Sequence, residues 1–451
     1  MDKHVSRRCS LELIAVSLAI IVVMALTFKA LWQGFAVSIV YVAFMLKAKG
    51  YESREIISMT WKGTREGSGL YVVIMLIGAT TSVWMASGVV PAMMYYGFSY
   101  MKGALFLPAA FLIISIVAIF MGTALGTIST VGLAIYGIGR GFQIPSDILV
   151  GVMVSGAFMA DKTSPLSGLF NLLLSSVEIS YGHTVRKLMK TTLPVVAICT
   201  AAYYVIGRSS VHVDMSMLLQ YKSELAGSFN ISPFLLLLPL MMIILSVLGG
   251  RKVLTIITGI IIGAGVAVFY QNMKPITVMK AIVSGYNSNG AAGEITSLLS
   301  TGGVISMIWV LLTVIGAVAW MSMLQGSGAV EAVAGRFLDG MHNASSLMLG
   351  TGIMSCLMTA LTCDQTAGIL VPARLLKDKY DAFQIDRGVM ARIISDTGII
   401  AAPLMAWNIN AFVIKSLTGQ GALTYAPYAV LCYAFPIAEL VMVLWSRRKR
   451  I

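Results

Sequence analysis

The stretch GVMVSGAFMADKTSPLSGLFNLL, Gly151 to Leu173, decides the fold. Thirteen uncharged residues, Ile148 to Ala160, run into Asp161, Lys162, Thr163, Ser164 and Pro165; the uncharged residues from Thr163 to Val177 number fifteen. Neither piece alone has the ~20 apolar residues a bilayer crossing needs, but together they suffice for one crossing broken in the middle. Pro165 lacks an N–H, and Thr163 and Ser164 compete for backbone hydrogen bonds, so the helix is expected to break there. A carboxylate at such a break is costly in lipid and belongs against protein or water. The bland alternative is a short polar loop between two helices, and this stretch alone does not separate the two.

A second copy does. ARIISDTGIIAAPLMAWNINAF, near the C-terminus, again gives Asp, then Pro, then Asn. Asp161 and Asp396 are 235 apart, Asn171 and Asn408 are 237, Pro165 and Pro403 are 238, and Thr130 and Thr366 are 236. A near-constant offset between rare residue types predicts an internal repeat, the construction of many secondary transporters.

Composition agrees. The 451 residues are 58% hydrophobic and 11% charged, with a mean hydropathy of +0.86, as in a polytopic membrane protein. The net charge of +13 comes from Lys and Arg clustered between apolar runs, a pattern of topology and anionic-lipid contact rather than nucleic-acid binding. The five cysteines (Cys9, Cys199, Cys356, Cys363, Cys432) have no ligand spacing and read as small apolar residues within spans; His4, His183, His212 and His342 are scattered and expected in loops. No cofactor or cleavable leader is expected.

Charge orders the chain. Lys3, Arg7 and Arg8 place the N-terminus in the cytoplasm, and Arg447, Arg448, Lys449 and Arg450 do the same for the C-terminus of a multi-pass plasma-membrane (inner-membrane) protein. Residues 1–68 form a helical pair and an amphipathic segment at 52–66, 69–208 a first repeat, 209–304 a connector with spans near 231–248 and 253–273, and 305–451 a second repeat. Loops cationic in one half (Arg186, Lys187, Lys190; Arg374, Lys377, Lys379, Arg387) have nearly neutral counterparts in the other, as inverted repeats require. Lys102 and Arg140 share a face, so residues 103–139 make two spans or a re-entrant hairpin turning at Gly122–Thr130; its counterpart turns at Thr359–Gly368. The fold class is an all-α polytopic membrane protein with two inverted repeats, re-entrant hairpins and broken helices, about ten full crossings plus two hairpins. Arg374 and Arg392 should mark the cytoplasmic face, and Glu178 and Glu439 the interface.

GTALGTISTVGLAIYGIGRG, SGAFMADKTSPLSGLFNLL, LTCDQTAGILVPARLLKDKY and DTGIIAAPLMAWN resemble the NhaC family of sodium/proton antiporters, in order over roughly residues 70–420. The resemblance implies membership of the ion transporter superfamily, with a scaffold and a transport domain, elevator movement, homodimers, and ion-driven exchange that extends in relatives to carboxylates. After Pro165-Leu166-Ser167 the family pattern continues Asp-Thr-Thr-Asn, whereas this chain has Gly168-Leu169-Phe170-Asn171; Ser395-Asp396 stands where Glu-Asp is common. Fewer oxygens weaken an all-protein Na+ cage, and the space beside Leu169 and Phe170 would admit an organic substrate.

The expected ion- and substrate-binding residues are Asp161, Ser164, Asn171, Asp364, Gln365, Thr366, Asp396, Thr397, Asn408, Thr127 and Thr130, with Asp161, Asp364 and Asp396 as the Na+ ligands. Each has a plainer role as a helix cap or packing residue; Lys162 reads as a charge-balancing neighbour or a contact for a substrate carboxylate. The leading function is a secondary transporter exchanging Na+ or H+ against a cation or small solute, in which a carboxylate gives up its proton as the ion or solute binds. The alternative is a Na+- or H+-coupled carrier of an amino acid or carboxylate. A channel fits discontinuous inverted helices less well, and an intramembrane aspartyl protease lacks a Gly-x-Gly before Asp161, Asp364 or Asp396.

Overall fold

A computed structural model describes residues 7–28, 31–100, 105–210, 215–248, 252–287, 299–335 and 341–448. Lys3, His4, Lys102, His212, Arg251, Lys449 and Arg450 lie outside these residues. The described residues are mostly helical, with no strand among them.

Helix Gly303–Gly326 is the post on which the first part of the molecule is built. The N-terminal pair Arg7–Phe28 and Leu31–Ala48 closes on itself where Gly34 lets the backbone of Ile21 approach, and Phe35 then packs on Trp320. The amphipathic helix Ser53–Glu66 opens with a Glu52/Glu55 capping box and lies against the far end of the post, where Gly63 leaves no room for a side chain beside Ser322; Ile57 and Trp61 stay exposed. Helix Ser68–Ala86 crosses the post's other end, with Gly78 against the carbonyl of Gly303. Besides the two apolar helices expected, the connector holds Met215–Ser228, which precedes a 90° bend into Pro233–Leu245, and Pro275–Ser284, which follows Lys252–Phe269.

The rest consists of two hairpins and two broken helices. The first hairpin pairs Phe106–Met121 with an arm running from Ala124 through a π-helical turn at Ile128–Gly132 to Gly141. Its turn is tight, at Gly122 and Thr123, not spread to Thr130, because Gly122 takes φ +67° and Thr123 at once caps the next helix. The second pairs Ala344–Thr362 with Gln365–Ala382 through Cys363 (φ +59°) and Asp364. The broken helices are Ser146–Ala157 with Gly168–Val177, and Arg387–Ile394 with Ile409–Thr418, the latter bent by 44°.

Left-handed residues end matching elements of the two halves: Gly88 and Gly328, Gly122 and Cys363, Gln143 and Gln384, Glu178 and Gly419, each pair 240 or 241 residues apart. The caps Thr123 and Asp364, and Ser167 and Asn408, are 241 apart as well. The recurrence is therefore in a different register from the expected offset. At 241 residues Asp396 aligns with Ser155 and Asp161 with Ala402, so the two aspartates are not counterparts. Helix ends fix the register because backbone geometry dictates them, whereas Asp and Asn recur near any polar break.

On one face the segments 178–187 and 377–387, each a helix end with its adjoining turn, are joined by ion pairs. Asp386 accepts from His183 (2.8 Å) and Lys187 (2.6 Å), and Glu178 from Lys377 (2.7 Å) and Arg387 (3.0 Å). His183 is thus helical, within Tyr181–Ser210, rather than in a loop. Burial pushes the Asp386 carboxyl up, but Lys187, His183 and the Gly388 N–H outweigh it and hold it at about 2. Among the described residues five helices are long and apolar enough to cross a bilayer, and three bent pairs raise the number to eight.

Candidate coupling site

Each hairpin tip rests on one helix break. At the first break Ser164 takes the extended conformation imposed by the following Pro165. Its hydroxyl donates to the carbonyl of Ile119 (2.5 Å) in the first hairpin, and Gly122 touches Leu166 so closely that an added Cβ would sit 2.5 Å from the Leu166 Cβ. At the second break the Trp407 indole donates to the carbonyl of Ala360 (2.7 Å), 241 residues beyond Ile119, and the Ile409 N–H to that of Cys363 (3.1 Å).

Asp161 and Lys162 occupy the last turn before the first break and are buried. Ser167 donates to Asp161 Oδ1 (3.1 Å) while accepting the Phe170 N–H (3.4 Å), so one hydroxyl both orients the carboxylate and caps the resumed helix. Across the site Asp396 sits in a π-helical turn, Ser395–Ile399, a geometry that re-aims side chains and recurs at functional positions. Lys162 Nζ donates to Asp396 Oδ1, both side chains being 0% exposed, and lies 3.9 Å from the centre of the Phe435 ring. Asp396 Oδ2 is buried and has no partner among the described residues. Ser395 donates to the Lys162 carbonyl (3.4 Å), a second tie between the breaks.

One turn before Asp396, Arg392 forms a bidentate pair with Glu439 (Nε to Oε2 3.0 Å, Nη2 to Oε1 2.8 Å). Arg392 and Glu439, expected at a membrane face and an interface, are thus paired within the protein. Both are buried, and the pairing offsets part of the cost of holding two charges in the interior.

The other expected residues divide. Gln365 donates to the Ile399 carbonyl (2.8 Å) and accepts from Asn410 (3.0 Å), and Asn410 also donates to Asn408 Oδ1 (3.0 Å), so Gln365 and Asn408 share a network that holds the second tip to its break. Asp364 accepts the Thr366 N–H (3.0 Å) and is the cap of its own helix. Thr397 donates to the Ile393 carbonyl (2.6 Å). Thr127 and Thr130 donate back to Thr123 and Gly126 (both 2.8 Å) at the first tip. Asn171 is exposed, and its side-chain amide donates to the carbonyls of Pro165 and Ser167 (both 2.8 Å), clasping the first break locally. Asp161, Asp364 and Asp396 do not gather into one metal-binding group; among the described residues no three His, Cys, Asp or Glu do. The space expected beside Leu169 and Phe170 is filled: Phe170 is fully buried, edge-on to Tyr181 at 5.8 Å.

Sequence reasoning missed Ser167 and Asn410 and gave Lys162 only a supporting role. It also missed the Arg392–Glu439 pair, although two signals were present. Arg392 lies four residues before Asp396, hence on its face of the helix, and Glu439 interrupts an otherwise uncharged run from Val430 to Trp445.

With the geometry in view, comparison with known proteins is direct. The model of the Na+/H+ antiporter family matches residues 156–447. The chain is 26% identical to the malate-2H(+)/Na(+)-lactate antiporter of Bacillus subtilis over 87% of its own length and 85% of the relative's. It is 29% identical to the arginine/ornithine antiporter ArcD of Halobacterium salinarum, over 83% and 77%. It is 26% identical to the Na(+)/H(+) antiporter NhaC of Alkalihalophilus pseudofirmus, over 84% and 82%. All three relatives are transporters, not enzymes. A multi-pass chain with buried charges at two helix breaks, matched over most of its length by antiporters, is a secondary transporter, and it belongs to the Na+/H+ antiporter family, the family of NhaC.

Proposed function

We propose that the chain is an antiporter coupled to H+ or Na+ through the cluster Asp161, Lys162, Asp396, Arg392 and Glu439. One observation carries this reading: a buried carboxylate, Asp396, has one oxygen on the Lys162 ammonium and the other oxygen without a partner. With all five groups ionised the cluster holds three negative and two positive charges. One proton or one Na+ restores neutrality, which a low-dielectric site strongly favours. A cation arriving at Asp396 or Asp161 loosens the hold of Lys162, and with it the tie between the two breaks.

In this reading the halves are inverted repeats in a 241-residue register, at 69–208 and 305–451, with about ten crossings. The mirrored hairpin-on-break contacts support this, as does the meeting of segments 178–187 and 377–387 on one face; we assign that face and both termini to the cytoplasmic side of the plasma membrane. The hairpins and broken helices then move as the transport body of an elevator against the scaffold around Gly303–Gly326, in a homodimer. Saturable counterflow in proteoliposomes, driven by an imposed pH or Na+ gradient, is the expected behaviour. Non-saturable flux, as through an open pore, would refute the carrier reading.

A further inference from the structure

A cavity of about 360 Å³ lies at the start of Gly303–Gly326, lined among others by Thr81, Tyr136, Arg140, Ser146, Thr301 and Thr418. Among the described residues no Asp or Glu lines it. Arg140 is half-buried and its guanidinium has no hydrogen-bond or ion-pair partner among the described residues. A guanidinium stays charged, so this is a fixed positive charge beside low-dielectric walls with five donors unused. The Ser146 hydroxyl accepts from Tyr136 (3.0 Å), which leaves its own O–H to give. The site is rich in donors and wants an anion.

Volume narrows the choice. A bare ion needs far less room, while about 300 Å³ is the lower end for small-molecule sites. The cavity's walls come from Ser68–Ala86 and Gly303–Gly326 on one side, and from the first hairpin and Ile409–Thr418 on the other. An occupant therefore touches both the scaffold and the hairpin–break body. At the opposite end of Gly303–Gly326 a cavity of about 400 Å³ mixes Lys62 and Arg374 with Glu66 and Glu331 and has no such bias.

We propose that the Arg140 cavity binds a small organic carboxylate, gripped by the guanidinium fork and the Ser146 hydroxyl, and that this anion is the solute the antiporter exchanges. The proposal rests on the antiporter reading for the word exchange, but binding itself does not.

The test is the melting temperature of the purified protein titrated with L-lactate, L-malate and succinate at fixed pH and Na+, with chloride and inorganic phosphate as controls. At least one carboxylate is expected to stabilise the wild type in a saturable way. R140Q should weaken that binding roughly 10- to 100-fold, R140K less because it keeps the charge without the fork, and S146A a few-fold. Three results would overturn the proposal: no carboxylate stabilises the wild type, phosphate does so equally well, or R140Q and S146A both bind as the wild type does. Carboxylate binding that depends on Arg140, in a protein showing no ion-coupled flux, would sustain the site and remove the antiporter coupling instead.

Discussion

Replacing Lys162 with Met removes the ammonium and keeps most of the side chain's volume. Because Lys162 and Asp396 are both fully buried, the substitution strands the Asp396 carboxylate, whose second oxygen already lacks a partner. Stripping one member from a buried pair costs about 3–5 kcal/mol, whereas replacing both by neutral groups is often close to neutral. The contact with the Phe435 ring adds up to about 2 kcal/mol to the loss. K162M should therefore melt well below the wild type. D396N should fall less, since its amide oxygen still accepts from Lys162, and K162M/D396N should recover most of the deficit. Thermal unfolding in detergent, followed by tryptophan fluorescence at low Na+, reads all four. A K162M protein as stable as the wild type, or a double variant at least as impaired as the sum of the singles, would refute the reasoning.

Three further outcomes follow from the same geometry. S167A should lower stability by about 1 kcal/mol through the lost cap and also alter coupling, because Asp161 loses its O–H donor; S167T should restore both, and unchanged coupling in S167A would remove Ser167 from the site. G122A should cost more than G419A, although both positions are left-handed. The left-handed backbone alone costs about 1–2 kcal/mol, but only at Gly122 does the new Cβ strike a neighbour, Leu166, so equal melting points would contradict the tip-on-break contact. Asp386 is held at about 2, below its unfolded value, so its contribution is complete above about pH 4 and is lost as pH falls toward 2. D386N should flatten the melting temperature's fall over that window, and an unchanged slope would deny the carboxylate that role.

The broad architecture was legible in the sequence because bilayer physics leaves few options. Uncharged runs, a Pro after Thr163-Ser164 and asymmetric Lys/Arg clusters are enough to place helices, breaks and hairpins. Register and partnership were harder to read. The left-handed positions that match the two halves include Gln143, Glu178, Cys363 and Gln384, residue types that carry no turn signal. Asp and Asn, the residues that do stand out, recur at 235 and 237, a few residues short of the 240 or 241 at which these helix ends recur. Lys162 and Asp396 are 234 residues apart, and nothing local marks one as the other's counter-ion. Asp364 stood out because an acid inside an apolar hairpin looks functional, yet a helix that starts within the protein needs a cap, and Asp364 supplies it.

The most direct test is proton-coupled exchange in proteoliposomes containing wild type, D396N or D364N. Asn caps a helix as well as Asp does, so D364N should retain coupled exchange while D396N loses it and remains folded. Coupled exchange at the wild-type rate in D396N, or equal loss in both variants, would contradict the placing of the coupling carboxylate at the second break.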